Sequence, residues 1–184
     1  MVRHTTYLTT NGISYAVTRM FHLTSALFTL FLAWGLWVNL GEGVRLVTMP
    51  HIPLLLLLSL AAATYRDTWI FDVSAKTVTS IYGFGPFCKR EIHAFDEVER
   101  LEITHFVRGS SDKDAKANKR RLRAMLVFSL RLCDERSRTI EIIAEKTSQG
   151  RTESAMQAIA SVTGLPLYVD RPRDMDLNIS YKDL

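Results

Sequence analysis

The chain has 184 residues, 23 Lys or Arg against 19 Asp or Glu, 47% hydrophobic side chains and a mean hydropathy of +0.05. That length admits one modest domain beside a membrane anchor and excludes a large multidomain enzyme or a many-helix transporter. Only Arg3, Arg19, Glu42 and Arg45 carry charge before residue 66, so the near-zero hydropathy averages an apolar first third and a polar remainder.

Residues 1–19 read as a short cytoplasmic segment. Residues 20–40 follow as 21 consecutive uncharged residues, enough at about 1.5 Å per residue to span the roughly 30 Å hydrocarbon core. A second uncharged run, 46–65, is long enough to cross back, and the linker 41–45 carries Gly41 and Gly43 as turn formers. Residues 20–65 are therefore expected to form a two-helix transmembrane hairpin. Arg3 and Arg19 precede it, Arg45 alone lies in its loop, and Arg66, Lys76, Lys89 and Arg90 follow, which predicts cytoplasmic termini. Pro50 and Pro53 fall early in the second helix, where a missing amide donor costs least. Ser25, Ala26, Ser59 and Ala61 to Ala63 permit close helix approach. His22 and His51 lie near opposite boundaries, about 20 Å apart in depth, too far for one haem iron.

After Arg66 the pattern changes to short strands and turns. Residues 69–73 and 78–82 read as a hairpin, Gly83-Phe84-Gly85-Pro86 breaks the chain, and β character resumes over 87–95. Residues 96–99 form a turn into a strand over 101–107. Leu126, Phe128, Leu130 and Leu132 share one face of the next strand. The strand 138–144 pairs back, with Ile140 and Ile142 on one face. A helix over 147–163, capped by Thr147 or Ser148, carries the apolar stripe Ala155, Met156, Ile159, Ala160 and Val162. Gly164 ends it, followed by the apolar contact of Leu165. The predicted class is an α+β membrane protein: the transmembrane hairpin, an antiparallel β partial barrel with one C-terminal helix over 66–169, and a polar tail over 170–184.

The segments TWIFDV, REIHAFDEVERLEI, LVFSLRL, RTIEIIA and IASVTGLPL, in that order, resemble the pleckstrin-homology-like domains of bacterial membrane proteins that carry a helical hairpin. The resemblance covers about residues 69–168 and implies a binding or scaffolding module, commonly without catalytic residues.

The main local charge signal is a basic loop. Arg108, Lys113, Lys116, Lys119, Arg120, Arg121 and Arg123 face only Asp112 and Asp114, a net of +5, whereas 66–107 and 124–184 sum to −2 and −1. Such a loop suits anionic lipid or an acidic protein partner. Nucleic acid is not expected, because no aromatic residue stands between Phe106 and Phe128 to stack on bases. Asp96, Glu97, Glu99 and Glu102 beside His93 and His105 lack metal-ligand spacing. Cys88 and Cys133 are isolated thiols, and Gly83-Phe84-Gly85-Pro86 lacks the Lys-Ser/Thr and helix of a phosphate loop. The expectation is a non-enzymatic accessory or assembly subunit of a bacterial inner-membrane complex, without metal or cofactor. Its expected partners are other membrane subunits, with anionic phospholipid as the alternative.

Overall fold

The structure is a computed structural model, in which residues 3–45, 48–108 and 123–170 are described. The chain is α+β and divides into two compact units, Met1–Phe71 with Val78–Ile92, and Asp72–Thr77 with His93–Leu184.

The first unit is built on a five-stranded sheet. Strands β1 (His4–Thr9) and β2 (Gly12–Val17) pair antiparallel, with Thr9 opposite Gly12 across the two-residue connection Thr10-Asn11. Helix α1 (Arg19–Gly41) and helix α2 (His51–Thr64) come next. Strands β3 (Tyr65–Asp72), β4 (Thr77–Phe84) and β5 (Phe87–Ala94) complete the order β1-β2-β3-β4-β5. The two helices are thus an insertion between adjacent strands of one sheet. Ile13, Tyr15 and Val17 alternate inward on β2, and Trp69, Phe71 and Val78 are likewise buried, as the period of two requires.

The N-terminal segment is therefore a β-hairpin, where the sequence reading assigned no element. The local signal is the run of β-branched and aromatic residues on both sides of Thr10-Asn11, with turn-forming residues between them. The span expected over 46–65 also differs, since its helical part is only 14 residues. Pro50 stands at the helix N-cap and Pro53 lies in the first turn, where no amide donor is needed. Tyr65 already has extended backbone (φ −61°, ψ 131°) and opens β3. The long helix α1 lacks a side-chain cap from Thr18; the Tyr7 hydroxyl accepts the Arg19 N–H instead (3.2 Å), satisfying one orphan donor of the first turn.

The second unit contains a four-stranded sheet. A 3₁₀ turn, Phe95–Glu97, leads into β6 (Val98–Arg108), followed by β7 (Arg123–Leu132) and β8 (Ser137–Ala144). The short helices α3 (Glu145–Ser148) and α4 (Arg151–Thr163) precede β9 (Leu167–Asp170). The order is β8-β7-β6-β9; β6–β7 and β7–β8 are antiparallel, and β9 runs parallel to β6. Residues 66–169 therefore contribute to two sheets in two units, because β3 to β5 pair with the N-terminal hairpin.

Leu126, Phe128, Leu130 and Leu132 are all buried, as alternation predicts. On β8 the alternation fails: Ile140 and Ile143 are buried (5% exposed each), whereas Ile142 is 58% exposed. Phe128 faces Glu141 and Ser129 faces Thr139, so Ile140 is an extra residue in the ladder. This β-bulge reverses the parity of every later side chain. A second irregularity between Val98 and Arg100 does the same on β6 and buries both Val98 and Leu101.

The expected helix over 147–163 is divided, because Gln149 (φ 50°) and Gly150 (φ 78°) are left-handed. The buried Ser148 hydroxyl still accepts the Thr152 N–H (3.2 Å), and Thr152 Oγ1 donates to Glu141 Oε2 on β8 (3.2 Å). Ala155, Met156 and Ile159 are buried, but Val162 is exposed, so the stripe is narrower than expected. Gly164 is left-handed (φ 71°), its N–H bonds to the Ala160 carbonyl (2.8 Å), and Leu165 is buried, giving the expected glycine cap.

Candidate functional site

Helix α1 is apolar on every side and none of its residues is buried. Its exposed residues include Leu23, Leu27, Phe28, Leu30, Phe31, Trp34 and Trp37, and on α2 Leu54, Leu57, Leu58 and Leu60. At 23 residues α1 is about 34 Å long, sufficient to cross a hydrocarbon core; α2 at 14 residues reaches about 21 Å. Apart from its contact with α2, the described residues leave this apolar helix uncovered.

Two polar contacts fix α1 on α2. His22 Nδ1 lies 3.2 Å from the Ala63 carbonyl, and Thr29 Oγ1 donates to Ser59 Oγ (3.0 Å), so the helices run in opposite directions. Ser59 is the buried residue of α2 and also donates to the Leu56 carbonyl (2.9 Å). The small side chain of Ser59 permits this approach, as expected of the small residues of α2, and Thr29 is its partner on α1. His51 lies about 18 Å along α2 from Ala63. His22 and His51 are therefore not brought together.

Where the helix pair joins the sheet there is an open cleft of ≈ 590 Å³ whose lining includes His22, Thr64, Tyr65, Arg66, Thr68 and Gly85. The tip of the β4–β5 hairpin is fixed beside α2, since the Gly85 N–H donates to the Thr64 carbonyl (3.0 Å) and the Phe84 and Tyr65 ring centroids are 5.2 Å apart. Gly83 makes this tip possible: with φ 147°, a Cβ there would come within 2.1 Å of the Phe87 carbonyl oxygen. Phe84 and Phe87, at the tip, are 51% and 86% exposed. On β3, Asp67 accepts from the Tyr65 hydroxyl (3.3 Å) and lies 3.2 Å from His4 Nε2. Lys89 pairs with Glu91 (2.6 Å), which together with Tyr82 raises its pKa. Arg66 is exposed and has no ion-pair partner among the described residues. The cleft escaped sequence reasoning because it joins residues 22, 64–68 and 85; the exposed aromatic pair around Gly85-Pro86 was its only local hint.

Of the basic set, Arg108 and Arg123 are opposite one another at the end of the β6–β7 ladder. Lys113, Lys116, Lys119, Arg120 and Arg121 lie outside the described residues. Glu99 pairs with Arg100 (2.6 Å) and Arg131 (3.9 Å) and Glu102 with Arg100 (3.9 Å), while Glu97 lies 3.5 Å from His93 Nδ1. His105 Nδ1 lies 2.8 Å from the Asp170 carbonyl, a link between β6 and β9. Among the described residues no three His, Cys, Asp or Glu side chains gather in a metal-binding group, and both cysteines are free thiols.

Comparison with known proteins finds no matching family model, no matching curated protein and no matching solved structure.

Proposed function

We propose that the chain is a bacterial inner-membrane protein, anchored by α1 and α2, whose β units bind other subunits of a membrane complex and help assemble it. The observation that carries this reading is the exposed apolar helix pair inserted between neighbouring strands β2 and β3. Val17 and Tyr65 leave and re-enter one sheet, which favours placing both helix ends on the same side of a bilayer. Arg19 and Arg66 bracket that side, which favours the cytoplasmic face. Helix α1 crosses the core, and α2 begins about level with residue 35 of α1, short of its outer end. Trp34 and Trp37 then lie toward the outer interface.

The pleckstrin-homology-like reading rests on the order of short strands over residues 69–168 followed by the C-terminal helix α4. In this reading the domain is a scaffold with no catalytic role of its own.

Solubilisation of native membranes in mild detergent, followed by crosslinking and size analysis, tests the assignment. Stoichiometric co-migration with other membrane proteins is expected. A solely monomeric particle, before and after crosslinking, would refute the accessory role.

A further inference from the structure

The geometry points to the cleft beside the end of α2 as a headgroup site for an anionic phospholipid, with Arg66 meeting the phosphate and the Phe84 to Phe87 tip seated against the acyl boundary. This rests on the membrane reading above. Three observations converge on it.

The first is depth. His22 contacts Ala63 and Gly85 contacts Thr64, so the first turn of α1, the last turn of α2 and the hairpin tip share one level. That level is where the apolar helix surface ends and Arg19 and Arg66 begin. The second is chemistry. Lys89 is engaged by Glu91, whereas Arg66, exposed and lining the cleft, has no ion-pair partner among the described residues. Thr64 and Thr68 line the same space, the Thr64 hydroxyl donating back to the Leu60 carbonyl (2.9 Å). A planar five-donor guanidinium suits a phosphate diester better than a point charge does. The third is the tip. Phe87 is more exposed than any other described large apolar side chain, yet its hairpin is held by a backbone hydrogen bond and a Gly83 crossing that excludes a side chain. An aromatic residue held rigidly in the open is costly in water and favourable at a bilayer interface. The patch continues the exposed surface of α2, whose Leu60 and Leu57 lie one and two turns deeper.

The test uses the full chain in nanodiscs of phosphatidylcholine containing one-fifth phosphatidylglycerol. Lipids retained after gentle detergent extraction are counted by native mass spectrometry. Wild-type protein is expected to retain phosphatidylglycerol over phosphatidylcholine, and R66Q to lose about fivefold of that preference, the factor corresponding to about 1 kcal/mol per basic residue near an anionic surface. The charge-matched change Lys146→Gln, in the second unit, is expected to leave the preference intact, and F87S to weaken retention of both lipids. Equal preference in wild type and R66Q would overturn the site. Displacement of the lipid by millimolar glycerol 1-phosphate would also overturn it, by assigning the cleft to a soluble phosphate ester. Alkaline carbonate washing of the membranes from cells expressing the chain separates the two readings: release of wild-type protein refutes the anchor, whereas retention without lipid preference refutes only the headgroup site.

Discussion

Replacing Gly83 by alanine tests how the β4–β5 tip is built. The added Cβ would lie 2.1 Å from the Phe87 carbonyl oxygen and 2.8 Å from Cys88 Cα, both on backbone that cannot swing aside. At φ 147° alanine also occupies a region open essentially to glycine alone, at about 1–3 kcal/mol. Relief requires the tip to separate by more than 1 Å, roughly the gap between 2.1 Å and van der Waals contact. The Cys88 thiol, half-buried and bonded to the Gly85 carbonyl (3.2 Å), reports that separation. In a Cys133→Ser background, G83A is expected to speed maleimide labelling of Cys88 by tenfold or more, since each 1.4 kcal/mol of opening is about a factor of ten. A second positive-φ glycine serves as control: Gly164→Ala, where φ is 71° in the left-handed helical region and an added Cβ would meet no non-neighbouring atom within 4 Å. It is expected to cost only about 1 kcal/mol, with Cys88 labelling unchanged. Unaltered labelling in G83A would refute the proposed crossing.

The bulge at Ile140 predicts opposite outcomes at adjacent positions. Urea titration of Ile142→Lys should fall within about 0.5 kcal/mol of wild type, whereas Ile143→Ala should lose about 2–4 kcal/mol; the reverse order would restore simple alternation. Truncating the fully buried Phe128 to alanine should cost about 3–5 kcal/mol in the same titration, and a loss below 1 kcal/mol would contradict its central place in the second unit. Thr29→Val removes the donor to Ser59 while conserving shape, and should lower helix-pair stability in detergent by about 0.6 kcal/mol; no change, together with an unchanged Ser59→Ala, would remove that bond from the seam. The Asp134 carboxyl is held below its ordinary value by hydrogen bonds from the Arg136 side chain and backbone. Its contribution is therefore present above the ordinary carboxylate range and lost as pH falls through the lowered value. Carboxyl NMR should show the low titration and its return toward normal in Arg136→Gln.

The legible elements were those with continuous local patterns. Residues 20–40 announced α1 by composition, Leu126 to Leu132 announced β7 by alternation, and Gly164-Leu165 announced the end of α4. Parity on β8 was not legible, because a bulge is set by the pairing of Phe128 and Ser129 with the partner strand, not by β8 itself. The division of the C-terminal helix was hidden for a similar reason: Gln149 is a good helix former forced left-handed beside Gly150. The length of α2 was overestimated because absence of charge does not distinguish a helix from the extended backbone that begins at Tyr65. The candidate cleft was least legible, since residues far apart in sequence meet only after β2 and β3 become neighbours.

That adjacency has a kinetic corollary. Val17 and Tyr65 bound 47 intervening residues, and closing a flexible loop of that length costs on the order of 3 kcal/mol. A preformed antiparallel helix pair brings the two strand ends together before the sheet forms and removes much of that cost. Maturation of the first sheet then waits on correct placement of both helices. A chain with one helix misplaced would expose the unpaired edges of β2 and β3, a template for edge-to-edge pairing with another chain.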